Sequence, residues 1–514
     1  MPLLPLPLLL LLLPLSLPLL LLSKLLLTYL LDPHHLRHHP SIHPLAPLTN
    51  LGYIQHLRRL PTFLPRTFAL HRAHAHHPIL RLGPNSLSFR DPDSIRDIYS
   101  HSSQCTKADM YETARAGGHA NLLSATDRGE HAVKRKRLAA AFAARHLAGW
   151  EEKVRDKCER LVRELDARCA EVGGWVDFRL WFNLFTIEAI ADIALSERLG
   201  VIEAGDDVVE VWDEKGTMRK VKYIDAVHGI GRAIAPIVWS KDGYAVLKWL
   251  SKWFEGPRQQ WANFANFGDM LQHLVRKRLR RYEAGEDCDD FVKCLLEDKE
   301  GQPLSLSTGE IAAEVSVFLD AGSDTTAIAL THVLYLLLKN PEKLARLRES
   351  LKACGQLDIP WYDAVKQNAY LRACLDESLR LLPPVSAGLQ RKTPPGGSSV
   401  GGKWIAGNTL VSTSAYIAHR NPEVFPDPEA FLPERWLKDD AKEMQKYFIA
   451  FSAGARGCIG RNLTYLEQTV LLATLVRRYD FALPDPNWEM RWEEMFNFWP
   501  HSLPVIICRR SVNM

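Results

Sequence analysis

Along most of the chain, apolar residues recur every three to four positions, which is the spacing of helices that bury one face. Eight stretches carry this pattern and are predicted to be helices: residues 130–147, 150–172, 180–195, 261–283, 307–339, 341–353, 370–381 and 459–479. Short apolar runs predict strands at residues 79–82, 86–89, 410–413 and 505–508, and a hairpin over residues 208–223 that turns at Glu214, Lys215 and Gly216. The pattern therefore predicts a mainly α fold with small β-sheets.

The first 31 residues depart from this pattern because they are almost entirely Leu and Pro. An apolar run of this length suits a transmembrane anchor, although Pro14 and Pro18 would kink its helix. A cleaved signal peptide is less favoured, since the segment has neither a basic start nor a small-residue cleavage site. Several arginines follow the run and predict that the rest of the chain stays on the cytoplasmic side: Arg37, Arg58, Arg59, Arg66 and Arg72.

Residues 32–50 are rich in Pro and His, a composition that predicts a stiff hinge. Their histidines have no regular spacing and no Cys or carboxylate partners, so a metal site is the weaker interpretation, as it also is for the histidines at 71–77. No second linker and no internal repeat follows. The sequence thus predicts an anchor at residues 1–31, a hinge at 32–50 and one large domain over 51–514.

Composition narrows the classes of function. The 514 residues are 24% charged and 46% hydrophobic, so most of the chain can fold around a core. The 64 Lys and Arg residues against 60 Asp and Glu give a formal charge of +4, which is too small to indicate binding of nucleic acid by charge alone. The nine cysteines include no CxxC pair, which argues against a disulfide scaffold or a structural zinc site and suits a reducing compartment.

The longest predicted helix, residues 307–339, contains Ala-Gly-Ser-Asp-Thr-Thr in its middle. Gly322 within this run costs about 1 kcal/mol of helix stability, and something must offset that cost. Two interpretations stay open. Gly322 allows a tight crossing with another helix, or it marks a widened groove where a ligand approaches and where Thr325 and Asp324 handle protons.

Glu377 and Arg380 stand three residues apart on one predicted helical face and can form an ion pair. Such pairs are common on protein surfaces, where they contribute little, so this pair by itself favours no function. Further along, Arg435 in the sequence Phe-Leu-Pro-Glu-Arg-Trp could complete a buried Glu-Arg-Arg network.

The strongest signal is Phe-Ser-Ala-Gly-Ala-Arg-Gly-Cys-Ile-Gly at residues 451–460, just before a predicted helix. Small residues let this backbone approach a flat ligand closely. Cys458 would lie at the helix N-terminus, where free N–H groups favour the thiolate that a haem iron takes as axial ligand. A single Cys is more often inert packing, but the glycine spacing together with Arg456 argues for a ligand.

Four motifs occur in the order found in the cytochrome P450 family, which the chain resembles over residues 51–514. They are AGSDTT at 321–326, ExxR at 377–380, PERW at 433–436 and FxxGxRxCxG at 451–460. The resemblance is to microsomal members and to fungal monooxygenases. It implies a cytochrome P450 fold preceded by the transmembrane anchor, a single-pass location in the endoplasmic reticulum membrane with the catalytic domain in the cytoplasm, and haem b as cofactor.

The resemblance also implies a role for individual residues. Cys458 would bind the haem iron, and Thr325 and Asp324 would deliver protons to bound dioxygen. Glu377, Arg380 and Arg435 would form a structural triad beneath the haem. The other expected haem contacts are Phe451 beside the sulfur and, at the propionates, Arg456, Arg391, Arg135 and His131, the last in place of the family's usual Trp.

The implied reaction inserts one oxygen atom from O2 into a hydrophobic small molecule, in fungal secondary metabolism. Electrons would come from an NADPH-dependent cytochrome P450 reductase, because the chain shows no dinucleotide or flavin motif. A basic face is either the docking site for that reductase or a merely solvated surface: Lys134, Lys136, Arg137, Lys446 and Arg461.

Substrate contacts are expected from segments that are mostly apolar: residues 105–123, 199–261, 317–321, 384–389 and 496–499. The hairpin at 208–223 is interpreted as a structural insert in preference to a substrate gate. Two other functions remain: a haem-thiolate isomerase or dehydratase, and a non-catalytic haem-binding sensor. The intact pair of Asp324 and Thr325 favours the monooxygenase.

Overall fold

The structure, a computed structural model, describes residues 19–20, 22–50, 63–74, 76–143, 146–169, 174–238, 243–355 and 357–510. Helices account for most of these residues, and their bounds are α1 (Leu22–Leu31), α2 (Phe63–Ala73), α3 (Asp93–Tyr99), α4 (Arg128–Leu138), α5 (Leu147–Cys169), α6 (Phe178–Leu195), α7 (Val201–Ala204), α8 (Tyr223–Ile234), α9 (Tyr244–Ser251), α10 (Glu255–Glu283), α11 (Lys293–Leu296), α12 (Thr308–Lys339), α13 (Pro341–Leu351), α14 (Tyr362–Val365), α15 (Ala369–Leu381), α16 (Ala415–Ala418), α17 (Ala441–Gln445) and α18 (Arg461–Arg478).

The strands are short, and their bounds are β1 (Ile79–Gly83), β2 (Ser86–Phe89), β3 (Thr106–Lys107), β4 (Trp175–Asp177), β5 (Val208–Trp212), β6 (Met218–Lys222), β7 (Arg391–Lys392), β8 (Ser398–Val400), β9 (Lys403–Ile405), β10 (Leu410–Thr413), β11 (Tyr479–Ala482), β12 (Trp492–Glu494), β13 (Phe498–Pro500) and β14 (Pro504–Arg509). The prediction of a mainly α fold with small sheets is confirmed.

The chain forms two compact units. The smaller unit comprises the described residues up to Thr106 together with Gly388–Ser414. It is built on a sheet with the strand order β1-β2-β10-β7-β3, in which β10 runs parallel to β2 and antiparallel to β7. The strand predictions at 86–89 and 410–413 have the observed bounds.

The segment predicted as a hinge, residues 32–50, lies along β1 in this smaller unit. The Arg81 amide donates to the Pro40 carbonyl at 2.8 Å, and the Ile42 amide donates to the Arg81 carbonyl at 3.0 Å. Leu36, Ile42 and Ala46 are buried. Within the described residues, no group of three or more His, Cys, Asp or Glu side chains is arranged to hold a metal ion.

The predicted anchor at residues 1–31 falls largely outside the described residues. Its last part is α1, a short apolar helix whose leucines are mostly exposed. Among the described helices, only α12 has the length and hydropathy of a membrane span, and 78% of its apolar window is buried inside the protein. Its apolar character is thus that of a core helix.

The larger unit comprises Lys107–Ala387 and the described residues from Ala415 onward. Helix α12 runs through its core and begins with a capping box, in which the Ser307 hydroxyl accepts from the Glu310 amide and the Glu310 carboxylate accepts from the Ser307 amide. Helix α6 packs against it with nearly all of its residues buried. Strands β11, β14 and β4 form a separate antiparallel sheet.

One predicted helix is too long. The apolar and alanine-rich pattern predicts a helix over 130–147, but α4 ends at Leu138 and a turn follows. The indole Nε1–H of Trp150 donates to the Ala141 carbonyl at 2.8 Å, so this carbonyl is bonded to a side chain of the next helix. A contact from the next helix therefore prevails over local helix propensity.

The predicted hairpin is present as the antiparallel pair β5 and β6, with Trp212 opposite Met218. It is attached to α10 through side chains: Arg219 pairs with Asp269, and the Trp212 amide donates to His273 Nδ1 at 3.3 Å. The next helix, α8, begins directly after β6.

Candidate active site

Gly322, in the middle of α12, lies against Ile190 of α6. A Cβ added at Gly322 would come within 2.6 Å of Ile190 Cγ1, which is shorter than any tolerated contact. The tight helix crossing, one of the two interpretations left open by the sequence, is therefore present. Helix α12 is continuous from Thr308 to Lys339, so no helical turn opens at this glycine.

Thr325 and Asp324 lie on different sides of α12. The Thr325 hydroxyl donates to the Ala321 carbonyl at 2.9 Å. Thr325 and Ala321 lie on the face of α12 that is more exposed than the rest of the helix middle. Asp324 is 3% exposed. Adjacent residues on a helix are turned about 100° from each other, which accounts for their separation.

Four donors surround the Asp324 carboxylate. Its Oδ1 accepts from Arg179 Nη2 at 2.9 Å and lies 3.2 Å from His228 Nε2. Its Oδ2 accepts from Asn497 Nδ2 at 2.8 Å and from Trp499 Nε1 at 2.5 Å. Burial by itself would raise the pKa of Asp324, but His228 and Arg179 hold it well below its ordinary value. The carboxylate is thus held as an anion.

These donors come from three elements besides α12: Arg179 from α6, His228 from α8, and Asn497 and Trp499 from the β12–β13 hairpin. The His228 and Trp499 rings stack with 4.1 Å between their centroids. Sequence reasoning included residues 199–261 and 496–499 only as apolar substrate segments, and it missed Arg179 entirely. No local pattern marks Arg179, because its partner is 145 residues away.

Glu377, Arg380 and Arg435 form a buried ion-paired network. Arg380 donates Nε–H and Nη2–H to the two oxygens of Glu377, each at 2.9 Å, and Arg435 Nε donates to Glu377 Oε1 at 3.1 Å. The indole of Trp436 adds a fourth donor, at 2.9 Å from Glu377 Oε2. The exposure of the Glu377 and Arg380 side chains is 0%. The pair is therefore not a surface pair of small effect. The structure brings Glu377, Arg380 and Arg435 together in the network that the sequence suggested.

Both arginines also donate to backbone carbonyls of the loop before Pro433–Leu437. Arg380 Nη1 donates to Pro428 O at 2.7 Å, and Arg435 Nη1 donates to Pro426 O at 2.6 Å. A charge-assisted bond to a carbonyl is stronger than a neutral one. The network thus fixes a loop that has little regular structure of its own.

The loop over residues 451–460 folds back so that the Cys458 amide donates to the Phe451 carbonyl at 2.8 Å. Gly454 has φ +63°, a conformation that favours glycine, and a Cβ on Gly457 would lie 3.2 Å from the Gly454 carbonyl oxygen. Two of the loop's glycines are therefore required by its shape. Helix α18 begins at Arg461 rather than 459, with Gly460 as its N-cap.

The Cys458 side chain is exposed, and it faces backbone N–H groups at the start of α18. Desolvation by the surrounding protein raises the pKa of the Cys458 thiol, while the Gly460 N–H, the Arg135 guanidinium and the Arg461 N–H act in the opposite direction. The accessible sulfur can serve as a ligand to iron, the two N–H groups and the cation stabilise its thiolate, and the small residues leave room for a flat ring. This combination fits an iron porphyrin.

Arg456 and Arg135 both contact this part of the chain. Arg135 Nη1 donates to the Gly457 carbonyl at 2.7 Å, and Arg456 Nη1 donates to the Ala125 carbonyl at 2.5 Å. His131 lies one turn before Arg135 on α4 and is 5% exposed. Phe451 packs against Tyr465, with ring centroids 5.3 Å apart. The structure thus gathers Arg135, Arg456 and Phe451 at the loop that carries Cys458.

Arg391 belongs to the smaller unit, where it is the first residue of β7. It is 4% exposed, its Nη1 donates to the Gln390 carbonyl at 3.1 Å, and its guanidinium lies 5.1 Å from the centroid of the Tyr99 ring.

A cavity of about 490 Å³ lies beside α12 in the larger unit. Residues 114–123 with α8, α10 and α12 line it, and its apolar wall includes Leu123, Ile230, Ile234, Phe264 and Phe267. The sequence-based substrate segments cover part of this wall. They missed the part of α10 that follows residue 261, because one face of a long amphipathic helix looks the same whether it borders a core or a cavity.

The predicted basic face loses one of its members. Lys134 is buried, and its Nζ pairs with Glu314 Oε1 at 3.0 Å, so it is not available to a docking partner. Its position among other basic residues of α4 gave no sign of this pairing. Lys136, Lys446 and Arg461 are exposed and Arg137 is half-buried.

Comparison with known proteins agrees with this site. A sequence model described as "Cytochrome P450" matches residues 42–509. A cytochrome P450 monooxygenase of Aspergillus terreus is 30% identical over 444 residues, which cover 80% of this chain and 84% of that protein. The trichothecene C-15 hydroxylase of Fusarium sporotrichioides is 29% identical, covering 86% of this chain and 87% of the relative, and the tryprostatin B 6-hydroxylase of Aspergillus fumigatus is 29% identical, covering 88% and 77%. The chain therefore belongs to the cytochrome P450 family, as a monooxygenase that binds haem b.

Proposed function

We propose that this protein is a membrane-anchored monooxygenase that inserts one oxygen atom from O2 into a hydrophobic small molecule in fungal secondary metabolism. The observation that carries the proposal is the loop at residues 451–460, which presents an accessible Cys458 sulfur at the start of α18. The hydroxylases among its relatives support the reaction class, and the apolar cavity beside α12 supports the class of substrate.

Cys458 would be the ligand of the haem iron. Arg456, Arg135, His131 and Arg391 would hold the haem propionates, and Phe451 would pack beside the sulfur. The hydrogen bonds of Arg135 and Arg456 at the loop support the roles of these two residues, because guanidinium groups bind carboxylates in a fixed, bidentate geometry. Bound through a thiolate, the haem supplies activation of dioxygen by favouring cleavage of its O–O bond.

Thr325 and Asp324 would serve proton delivery in the reaction. The Thr325 hydroxyl can turn from the Ala321 carbonyl and donate to a ligand, since a hydroxyl has one rotatable proton. Asp324 would act as an anion that orients the donors around it, because four hydrogen-bond partners occupy its two oxygens. Glu377, Arg380 and Arg435 would maintain the loops that retain the haem and would take no part in the chemistry.

The electrons would come from an NADPH-dependent cytochrome P450 reductase. A basic surface suits the acidic flavin domain of such a partner, and electrostatic complementarity speeds encounter between the two proteins. Because Lys134 is buried, the proposed docking residues are the other four of the predicted face: Lys136, Arg137, Lys446 and Arg461.

The membrane location remains part of the proposal. Residues 1–31 would form the single-pass anchor in the endoplasmic reticulum membrane, with the catalytic part in the cytoplasm and the region of residues 32–50 next to the bilayer. A second apolar surface supports contact with lipid, since tryptophans favour the membrane interface. This surface lies in and just after α9 and consists of exposed side chains: Val246, Trp249, Leu250, Trp253 and Phe254.

The first test is the carbon monoxide difference spectrum of the reduced, membrane-expressed protein. A strongly red-shifted Soret band is expected for the parent protein and for Cys508→Ala, whose cysteine is also exposed but lies on β14. Cys458→Ala is expected to lose the band. A parent protein that incorporates haem without the shifted band would contradict Cys458 as ligand.

The second test adds purified reductase and NADPH and follows product formation by mass spectrometry across a panel of hydrophobic compounds. Products heavier by one oxygen atom, formed only with both additions, are expected. If the protein shows a normal thiolate spectrum and forms isomerised or dehydrated products without NADPH, it is an isomerase or dehydratase instead. If it converts none of the compounds, the result fits a haem-binding sensor.

A further inference from the structure

One carboxylate on the wall of the cavity has no partner. Asp320 lines the cavity from α12, and within the described part of the chain no donor lies within hydrogen-bonding distance of its carboxylate. Two nearby acids differ in this respect. Asp324, one turn further along, has four partners, and Asp269, which lines the cavity from α10, pairs with Arg219. Asp320 is therefore the acid on this wall whose binding capacity is left unused.

An unpartnered carboxylate is costly in an apolar place. Much of the wall around Asp320 is apolar, with Ile230 and Ile234 from α8 and Phe264 and Phe267 from α10. Burying a polar group without a hydrogen bond costs a few kcal/mol, and an ionised one costs more. A residue of this kind is stabilised when a ligand brings the missing donor or the missing positive charge.

The charged and titratable groups that face Asp320 come from every side of the cavity. They are Asp324 on the same helix, Tyr223 on α8, Asp269 on α10, and Arg115 and His119 on the segment before α4. Burial and the neighbouring Asp324 carboxylate together raise the pKa of Asp320 to about 7. The Arg115 side chain is exposed, so solvent and salt screen its charge from the cavity.

We propose that Asp320 is a specificity-determining residue that binds a cationic nitrogen on an otherwise apolar substrate. This inference rests on the proposed function, since it names the substrate class of the same site. Thr325 lies five residues further along α12, which is about 7.5 Å along the helix axis. A substrate whose cation contacts Asp320 would therefore present carbon atoms several bonds away from that nitrogen to the reaction centre.

The test compares two probes of the same shape by isothermal titration calorimetry on the haem-containing protein. The probes are 3-phenylpropyl-trimethylammonium and its neutral isostere, in which a carbon replaces the nitrogen. A quaternary nitrogen neither titrates nor binds iron, so a pH effect belongs to the protein. The parent is expected to bind the cation at least about tenfold more tightly at pH 8, which corresponds to about 1.4 kcal/mol. This preference is expected to shrink at pH 6, where Asp320 is protonated.

Asp320→Asn is the decisive variant because it keeps the shape and removes the charge. It is expected to lose the preference for the cation and to bind the neutral probe as the parent does. Asp269→Asn is the matched control. Asp269 is also an aspartate that lines this cavity, but its carboxylate already pairs with Arg219. It is expected to keep the parent's ratio of affinities.

Equal ratios in the parent and in Asp320→Asn would overturn the proposal, as would loss of the preference in Asp269→Asn alone. A drop in product yield per NADPH for every substrate in Asp320→Asn, with an unchanged ratio of affinities, would assign the residue to proton supply instead. Each of these results is read on protein with a normal thiolate spectrum, so failure of the inference is distinct from failure of the proposed function.

Discussion

Arg179 Nη2 donates to Asp324 Oδ1 at 2.9 Å, and the two side chains are 5% and 4% exposed. This buried pair joins α6 to α12 beside the residues proposed to handle protons. Breaking a buried pair by removing one partner is far more costly than breaking a surface pair, because the remaining charge stays desolvated. The pair is thus as important for the fold as for the site.

We predict that Arg179→Gln lowers the free energy of unfolding by about 3–5 kcal/mol. The reason is that Asp324 would remain buried beside a neutral side chain. The measurement is the midpoint of a urea titration followed by tryptophan fluorescence. Lys366→Gln is the control, since it breaks the exposed pair with Asp363 and should change the free energy by less than about 0.5 kcal/mol. Similar midpoints for both variants would contradict the prediction.

The crossing at Gly322 predicts a specific dependence on Ile190. Gly322→Ala places a methyl group 2.6 Å from Ile190 Cγ1, and overpacking of this kind costs about 1–3 kcal/mol. In an Ile190→Ala background the same change is expected to be neutral or to stabilise by up to about 1 kcal/mol, because Ala favours a helix over Gly. A double-mutant cycle of unfolding free energies measures the coupling. Additive effects would show that the two residues do not limit each other.

Glu467, buried in α18, predicts a pH dependence of stability. Burial raises its pKa to about 8 from an ordinary value of 4.5, against a hydrogen bond from Thr326 that lowers it. The folded protein therefore keeps a proton that the unfolded chain releases, so stability is full below about pH 4.5 and is lost as the pH rises toward 8. The loss has a slope of up to about 1.4 kcal/mol per pH unit.

Glu467→Gln is expected to reduce this slope between pH 5 and pH 8 by the contribution of Glu467, while Asp320, whose pKa is also raised, keeps its own contribution. Glu443→Gln provides the control, because Glu443 forms an exposed pair with Lys446 and should leave the slope unchanged. Urea titrations at several pH values measure both. A slope in Glu467→Gln that equals the parent's would mean that Glu467 contributes nothing to it.

Thr325→Ala is predicted to keep the haem and to separate electron use from product. The variant lacks the hydroxyl that is proposed to supply a proton, so we expect NADPH consumption to continue while product yield falls by about ten- to a hundredfold. The measurement is the ratio of product formed to NADPH consumed, together with the amount of hydrogen peroxide released. Thr331→Ala is a close control, since Thr331 lies on the same helix, is buried and donates to the Ala327 carbonyl in the same way. An unchanged ratio in Thr325→Ala would remove Thr325 from proton delivery.

Much of the fold follows from local pattern. Helices α6, α12 and α15 and strands β2 and β10 lie where the spacing of apolar residues predicts them, within two residues at each end. Long buried helices give a strong periodic signal, and short strands bounded by turn residues give a clear one. The false extension of α4 arose where a side chain from the next helix bonds a backbone carbonyl beyond the end of α4.

The motif residues of the site could be predicted because each motif is short and continuous. Their partners could not. Arg179 and Lys134 bind acids more than a hundred residues away, and no local pattern marks Asp320 as an acid that lines a cavity without a hydrogen-bond partner. Pairing across the fold depends on how helices cross, which no window of sequence encodes.

The hairpin of β5 and β6 ends in a tight turn whose residues 212–220 are all exposed. The Asp213 carboxylate accepts from the Lys215 and Thr217 amides, each at 2.9 Å, so the turn is closed by its own atoms. Exposed tips of this kind tolerate added chain well. The tip is therefore a suitable place for an epitope or a fluorescent label, through which the intact protein could be captured on a surface or followed in a living cell.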